Sequence, residues 1–321
     1  MAGPTILLVG AGELGSRHLQ SLVTVAGAAI DVLEPSALSA RRAADRMAQV
    51  QNHAREVRFF TAVSNLKPAY DVIIIATNAA IRYDVTMAVL GVCRTTYLIF
   101  EKVLFQRLRD FPAMQNTLQQ HGIKAYVNCP RRLYALYQDV KALLSPAPLQ
   151  VTVSGADWGL ACNSIHFIDL VAMLSGEALK NVEVQSTSGP LASKRDGYQE
   201  LMGTIRCQFA NGSELTLHCE SDKDRYNTYS VAINQSGLDW EIDEATGRVY
   251  RDNRDGDCLR SGPRPPYQSE LTATVITQLM ATGDCPLPSY AQSAALHEPL
   301  ITALLPQFGL TQTADAACPI T

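Results

Sequence analysis

Residues 5–15 of the chain are Thr5-Ile6-Leu7-Leu8-Val9-Gly10-Ala11-Gly12-Glu13-Leu14-Gly15. The first five are apolar or β-branched, which is typical of a strand that is buried on both faces. Three glycines follow, and a segment with helical periodicity begins directly after them. A glycine turn between a strand and a helix brings main-chain N–H groups close to a phosphate. The stretch therefore predicts a dinucleotide-binding turn in which Gly10, Gly12, Glu13, Leu14 and Gly15 contact the cofactor.

The same alternation of strand and helix continues over the first 128 residues. Apolar, β-rich runs lie at 5–9, 29–33, 58–62, 72–76, 96–100 and 124–127, and segments with helical periodicity lie at 16–26, 37–51, 80–90 and 108–121. Repeated βαβ units form parallel sheets with helices on both faces. We therefore expect an α/β fold whose N-terminal domain, residues 1–128, is a doubly wound Rossmann domain with a parallel sheet.

The pattern changes after residue 145. One helical segment at 164–174 precedes strand-like runs at 182–186, 201–209, 214–219, 229–234 and 239–242, and Asn211-Gly212 is typical of a hairpin turn. These features predict a C-terminal α+β domain, residues 129–321, with an open, mostly antiparallel sheet. The segment 251–266 is predicted to be an exposed loop. Two closing helices are expected at 271–281 and 291–305, and their packing back on the Rossmann domain is left open.

Composition and charge exclude several classes of protein. The formal net charge is −4 and the basic residues are scattered, so nucleic acid is not an expected partner. None of the eight cysteines forms a C-x-x-C pair, so we expect reduced thiols and no metal site. No apolar run approaches the ~20 residues of a membrane span, and the N-terminal run is too short for a signal sequence. The sequence predicts a cytoplasmic protein.

An acidic residue follows the second predicted strand. Glu34 lies 19 residues after Gly15, near the spacing expected for a carboxylate that accepts hydrogen bonds from the ribose. Such a carboxylate repels the extra phosphate of NADP, so the sequence favours NAD. Arg41 and Arg42 lie nearby and keep NADP open as the alternative cofactor. A solvated residue at the strand end is the alternative interpretation of Glu34.

Other polar residues follow the fourth and fifth strands, where open α/β sheets bind ligands. Thr77 and Asn78 are predicted to line the nicotinamide side of the cofactor, with a helix N-cap at Asn78 as the alternative. Glu101 and Lys102 end the fifth strand. A lysine there can donate a charge-assisted hydrogen bond to a substrate oxygen and stabilise the charge that develops during hydride transfer. An exposed strand-end pair is the alternative.

The second domain offers a proton carrier and candidate substrate contacts. His166 and Asp169 share one helical face, and a histidine titrates near neutrality, so His166 is a candidate acid or base, with a structural histidine beside an apolar run as the alternative. Asp169 either orients His166 or makes a packing contact. Asn163 is predicted either to bind a substrate hydroxyl or to cap the helix. Arg131, with Arg132 beside it, favours an anionic substrate, and a salt bridge is the alternative.

These residues together resemble a known family. The stretch from Gly10 to His18, Glu34, the Glu101-Lys102 pair and the segment 166–169 are similar to those of the glucose-fructose oxidoreductase, inositol dehydrogenase and rhizopine-catabolism (Gfo/Idh/MocA) family. The resemblance implies NAD(P)-dependent oxidation or reduction of a hydroxyl-bearing carbon on a sugar, cyclitol or sugar acid. It also implies that Lys102 holds the reacting oxygen, that His166 is the acid or base, and that Glu101 lies near the nicotinamide and orients Lys102.

Two departures from the family pattern keep other functions open. Val103 stands where the family has a proline after the lysine, and Cys162 stands where it has an aspartate four residues before the histidine. A dinucleotide-binding sensor or regulatory protein without catalysis is therefore one alternative, and an imine reductase is another. The resemblance further implies a homodimer or tetramer that assembles through the strands between residues 182 and 242.

Overall fold

The computed structural model describes residues 3–51, 56–251 and 258–321. The chain forms two compact units. The first comprises Met1–Phe105, Asp110–Cys129 and Pro266–Ser293, and the second comprises Gln106–Arg109, Pro130–Pro265 and Ala294–Thr321.

The first unit contains a six-stranded parallel sheet. Its strands are β1 (Thr5–Val9), β2 (Ala29–Leu33), β3 (Val57–Phe60), β4 (Ala69–Ile75), β5 (Arg94–Glu101) and β6 (Lys124–Asn128). They are arranged in the order β3-β2-β1-β4-β5-β6. The order reverses between β1 and β4, and Val9 pairs with both Leu33 and Ile75. The carboxyl ends of these strands therefore lie at one edge, which confirms the predicted doubly wound Rossmann domain.

Helices connect these strands, as the periodicity predicts. They are α1 (Glu13–Leu22), α2 (Ala37–Ala48), α3 (Ala79–Leu90) and α4 (Asp110–Gln120). Leu7, Leu8, Ile73 and Ile74 are fully buried, because a parallel sheet with helices on both faces shields its strands from water on each side. This apolar sheet holds the polar strand ends at fixed positions along its carboxyl edge.

The second unit contains an eight-stranded mixed sheet. After helix α5 (Ala135–Leu143) come β7 (Gln150–Ala156), helix α6 (Leu160–Ser175), β8 (Leu179–Ser186), β9 (Leu191–Ala192), β10 (Gln199–Glu200), β11 (Gly203–Phe209), β12 (Glu214–Glu220), β13 (Thr228–Gln235), β14 (Leu238–Asp243), β15 (Arg248–Arg251) and β16 (Cys258–Ser261). The order is β16-β15-β14-β13-β7-β12-β11-β8, with β9 and β10 paired separately. Only β7 and β12 pair in parallel, so the sheet is mostly antiparallel, as predicted.

One face of this sheet packs against a helix. Along β7, Val151 and Val153 are buried whereas Thr152 and Ser154 are exposed, which is the alternation expected of a sheet with one covered face. Helix α6 covers the buried face and contacts β11 and β12. The second unit thereby places α6, which carries His166, on a rigid support.

Two further α-helices follow the second sheet, α7 (Gln268–Thr282) and α8 (Tyr290–Leu304). Helix α7 lies in the first unit and packs on α1, where the hydroxyl of Ser21 accepts a hydrogen bond of 2.8 Å from the main-chain N–H of Ala273. No helix among the described residues is both long and apolar enough to span a bilayer.

The structure corrects two local expectations and adds one helix. The exposed loop predicted at 251–266 is wrong in part, because Cys258–Ser261 forms β16 and pairs with β15; residues 252–257 lie outside the described residues. Helix α5 was not predicted. Helix α6 begins at Leu160 rather than at residue 164, since Gly159 adopts φ 81° and caps it.

Candidate active site

The glycine turn between β1 and α1 is shaped to receive a phosphate. Gly10 has φ +87°, which favours glycine, and a Cβ atom at Gly15 would lie 2.0 Å from the carbonyl oxygen of Gly10. Gly12 caps α1 without a side chain, and a Cβ atom there would meet open space among the described residues. The first main-chain N–H groups of α1 are therefore accessible to an anion, so the turn fits a dinucleotide pyrophosphate.

Glu34 lies directly beside this turn. Its side chain is buried, Oε2 accepts a hydrogen bond of 2.7 Å from the N–H of Ala11, and Oε1 accepts one of 2.9 Å from the N–H of Ser36. A carboxylate has about four acceptor positions, so two remain for ribose hydroxyls. The structure thus places the predicted ribose-binding acid against the glycine turn.

Glu34→Gln is expected to weaken NAD binding about tenfold. The carboxylate has two acceptor oxygens, which bind two main-chain N–H groups and are proposed to bind the ribose, whereas the amide of glutamine has only one acceptor oxygen. The dissociation constant of NAD, measured by calorimetry, tests this. Glu214→Gln, an exposed substitution at the start of β12, is the matched control. Equal affinity of Glu34→Gln and the wild type for NAD would contradict the assignment of Glu34.

Thr77 and Asn78 follow β4 at the same edge of the sheet. Asn78 occupies the N-cap position of α3, although its side chain makes no capping hydrogen bond with a described residue. The hydroxyl of Thr77 is buried and has no hydrogen-bond partner among the described residues. A buried hydroxyl usually has a partner, so this one is available to a ligand. Contact of both residues with the nicotinamide stays a prediction.

Glu101, at the end of β5, is anchored by residues from other elements. Its Oε1 lies 2.8 Å from Nε2 of His18 on α1 and accepts a hydrogen bond from the side-chain amide of Asn128. Nδ1 of His18 is 2.9 Å from the hydroxyl of Thr272 on α7. Burial raises the pKa of the Glu101 carboxyl, but hydrogen bonds from His18 and Asn128 and the charge of Arg82 outweigh burial and leave it lowered. Glu101 is therefore an ionised, immobile carboxylate.

Lys102 lies immediately beyond it and is half-buried. The peptide bond between Lys102 and Val103 is cis. His18 and Asn128 are sufficient to hold the carboxylate of Glu101 in place. The role of Glu101 in orienting Lys102 stays a prediction.

Arg82 of α3 holds the segment that follows Lys102. It is 1% exposed, and its guanidinium donates hydrogen bonds to the carbonyl oxygens of Val103, Leu104 (2.9 Å) and Thr77. Arg82 thereby ties the end of β4 to the turn after β5. Sequence reasoning missed Arg82. Its spacing from Ala79 and Thr86, three and four residues away, places all three side chains on the buried face of α3, and this spacing was the signal that the sequence offered.

Helix α6 carries the predicted residues of the second unit. The side-chain amide of Asn163 donates a hydrogen bond of 2.7 Å to the carbonyl of Trp158. An N-cap role for Asn163 is wrong, because Gly159 caps the helix and Asn163 lies inside its first turn. His166 follows one turn later and is half-buried. The carboxylate of Asp169 is fully buried and binds the guanidinium of Arg132 at 2.7 and 2.8 Å.

A carboxylate that the sequence did not reveal lies at the N-terminus of α6. Glu200 of β10 accepts hydrogen bonds from the main-chain N–H groups of Ala161 (2.9 Å) and Cys162 (3.2 Å). Burial raises the pKa of the Glu200 carboxyl, although the bonds from Cys162 and Ala161 act in the opposite direction. Position 162 itself has no acid, but the fold brings one beside it. Because 38 residues separate Glu200 from Cys162, no local pattern indicated this pairing.

Arg131 is bound within the second unit. Its guanidinium donates hydrogen bonds of 2.8 and 3.0 Å to Glu244 and of 2.9 Å to the hydroxyl of Tyr229, and it lies 4.2 Å from the ring centroid of Phe167. Tyr137 donates a further hydrogen bond to Glu244. Burial lowers the pKa of Arg131, but Glu244 outweighs burial and raises it, so the arginine stays charged. Its contact with a substrate stays a prediction.

The fold and the glycine turn define a dinucleotide-binding Rossmann domain. Residues 5–129 match the model of an oxidoreductase family with an NAD-binding Rossmann fold. The N-terminal part of this chain therefore matches the Gfo/Idh/MocA oxidoreductase family, which confirms the resemblance and the predicted cofactor, NAD. No curated protein matches this sequence.

Solved structures share the fold over nearly the whole chain. An oxidoreductase from Agrobacterium radiobacter, in complex with NAD+, L-tartaric acid and magnesium, is 15% identical with a TM-score of 0.73, covering 94% of this chain and 95% of that one. UDP-N-acetylglucosamine 3-dehydrogenase from Acidithiobacillus ferrooxidans is 16% identical with a TM-score of 0.69, covering 97% and 98%. Scyllo-inositol dehydrogenase from Lactobacillus casei, with NAD(H) and scyllo-inositol, is 15% identical with a TM-score of 0.67, covering 96% and 97%. At these identities the likeness concerns the fold alone.

Proposed function

We propose that this protein transfers a hydride between NAD and a hydroxyl-bearing carbon of a sugar, cyclitol or sugar acid. The observation that carries the proposal is the placement of Lys102 at the carboxyl edge of the same sheet that presents the glycine turn and Glu34. The turn, Glu34, Thr77, Asn78 and Glu101 are the residues that hold the cofactor. When bound, NAD supplies a hydride acceptor at the nicotinamide ring.

Lys102 and His166 are proposed to act on the reacting hydroxyl group, Lys102 on its oxygen and His166 on its proton. The ammonium of Lys102 donates a hydrogen bond to the reacting oxygen and stabilises the negative charge that develops there as the hydroxyl proton leaves during oxidation, or as the hydride arrives during reduction. The imidazole of His166 takes the hydroxyl proton during oxidation and returns it during reduction. Asn163 is proposed to bind a second hydroxyl of the substrate, and Arg131 is proposed to contact an acidic group.

A panel of substrates tests the proposed function. The names and bound ligands of the structural neighbours suggest cyclitols, hydroxy acids of the tartrate type and nucleotide-linked amino sugars, each offered with NAD and with NADP. We expect NADH formation with at least one of them. Tight NAD binding without turnover of any of these alcohols or of the corresponding ketones would favour the sensor, and turnover of imines alone would favour the imine reductase.

We also propose a cytoplasmic homodimer or tetramer. All eight cysteines carry free thiols, in keeping with a reducing compartment. The uncovered face of the second sheet exposes Thr152, Ser154 and Ala232, and small side chains of this kind allow two such faces to approach closely. Light scattering at micromolar concentration is expected to give at least twice the mass of one chain. A monomer would contradict the proposed assembly.

A further inference from the structure

A charged cluster lies at the N-terminus of α1, beside the glycine turn. Glu13 is the first residue of this helix, and its carboxylate oxygens accept hydrogen bonds of 2.6 and 2.8 Å from the guanidinium of Arg46 on α2. Arg46 also donates to the main-chain carbonyl of Glu13 (3.0 Å) and to the hydroxyl of Ser16 (2.6 Å). Arg46 therefore holds both the side chain and the backbone of the first helical turn.

The carboxylate of Glu13, whose side chain is 62% exposed, adds a negative charge to the first turn of α1, beside the glycine turn that is proposed to bind the pyrophosphate. Hydrogen bonding by Arg46 lowers the pKa of Glu13, with further lowering by the charges of Arg17 and Arg42, so this group is ionised at neutral pH. The adjacent N–H groups are those that receive the pyrophosphate, which carries two negative charges. A free carboxylate at this position would both repel the pyrophosphate and compete with it for the positive end of α1.

The surrounding arginines remove this conflict. The guanidinium of Arg46 binds both oxygens of Glu13, and Nη1 of Arg42 lies 3.9 Å from Oε2 of the same carboxylate. Two guanidinium groups thus face one carboxylate. Arg42 is half exposed, whereas Arg46 is only 17% exposed and makes the shorter contacts, so Arg46 is the main partner of Glu13.

We propose that Arg46 is a positioning residue for the dinucleotide, which binds and neutralises Glu13 so that the glycine turn presents a net positive field to the pyrophosphate. The inference rests on the proposed binding of NAD at this turn. A salt bridge between surface helices would by itself contribute only about 0–1 kcal/mol to stability. If Arg46 only held the backbone of the first helical turn, its loss would weaken NAD binding to the same extent with glutamate or with glutamine at position 13. The two interpretations differ in whether Glu13, Arg46 and the cofactor are energetically coupled.

A double-mutant cycle on the dissociation constant of NAD tests this coupling at low ionic strength. We expect Arg46→Met to weaken NAD binding about tenfold, because Glu13 then faces the pyrophosphate unpaired. Glu13→Gln keeps the main-chain N–H through which position 13 is expected to contact the cofactor and removes only the negative charge, so this variant should bind NAD at least as tightly as the wild type. The double variant Glu13→Gln/Arg46→Met should return to within about threefold of the wild type, since the repelling charge is gone. Arg94→Met, at the opposite edge of the sheet, is the matched control for lost positive charge.

The outcomes separate the inference from the proposed function. Unchanged NAD affinity in Arg46→Met, or a double variant as weak as Arg46→Met, would overturn charge compensation while leaving NAD binding intact. Charge compensation would also be overturned if Glu13→Gln bound NAD more than about threefold more weakly than the wild type. This measurement remains decisive if Arg46→Met does not fold. Arg46→Lys keeps the charge and is expected to restore most of the affinity. A wild-type protein that does not bind NAD would overturn the proposed function itself.

Discussion

Lys102→Met is expected to lower kcat by about 10²–10³-fold while leaving the dissociation constant of NAD within about threefold of the wild type. Methionine preserves the length and packing of the side chain but cannot donate a hydrogen bond. Loss of one donor to a developing oxyanion typically has an effect of this size. The cofactor contacts made by the glycine turn and Glu34 do not involve the lysine ammonium, so binding and chemistry should separate.

Steady-state kinetics with the best substrate of the panel, together with calorimetry for NAD, measures both effects. Lys124→Met is the matched control, because Lys124 is exposed at the opposite end of the same sheet. It should retain full kcat. A kcat for Lys102→Met within fivefold of the wild type would remove Lys102 from the chemical step, whereas a parallel loss of NAD binding would make it a cofactor contact instead.

Arg131→Met is expected to destabilise the second unit by about 3–5 kcal/mol, because the substitution leaves the carboxylate of Glu244 buried without its cation. A loss of this size corresponds to a drop in Tm of about 10 °C. The hydroxyls of Tyr229 and Tyr137, which bond with Glu244, cannot neutralise that charge. Arg131→Met/Glu244→Gln should recover more than half of the lost stability, since no buried charge remains.

Urea and thermal unfolding followed by circular dichroism measures these differences, with the exposed substitution Arg206→Met on β11 as the control. The same variant tests the predicted substrate contact. A loss of stability below about 1 kcal/mol, combined with a raised KM for acidic substrates alone, would show that Arg131 serves the substrate rather than the fold. A large loss of stability with KM unchanged among the molecules that remain folded would assign it to the fold.

The features that the sequence predicted are those that local pattern determines. The glycine turn, the apolar parallel strands and Glu34 could be located because strand, turn and helix succeed one another within a few dozen residues. The Asn211-Gly212 turn between β11 and β12 was located for the same reason. Strand β16 was missed because its polar sequence, Cys258–Ser261, becomes a strand only by pairing with β15 at the edge of the sheet.

The partners of the site residues could not be predicted in the same way. His18 binds Glu101 across 83 residues, and Arg131 binds Glu244 across 113, so each pair exists only in the folded chain. Sequence periodicity placed Asp169 on the same face as His166, but Arg132 binds its carboxylate. The role of a charged side chain therefore depends on its nearest opposite charge in the fold, which spacing in the sequence does not reveal.

Direct transfer of deuterium from substrate to nicotinamide tests the central claim most directly. A substrate from the panel is labelled with deuterium at its hydroxyl-bearing carbon, incubated with NAD and the wild-type protein, and the NADH formed is analysed by mass spectrometry and NMR. We predict that each NADH carries one deuterium at nicotinamide C4, with a rate that falls by about 10²–10³-fold in Lys102→Met. NADH without deuterium, or a rate independent of Lys102, would contradict the proposed hydride transfer.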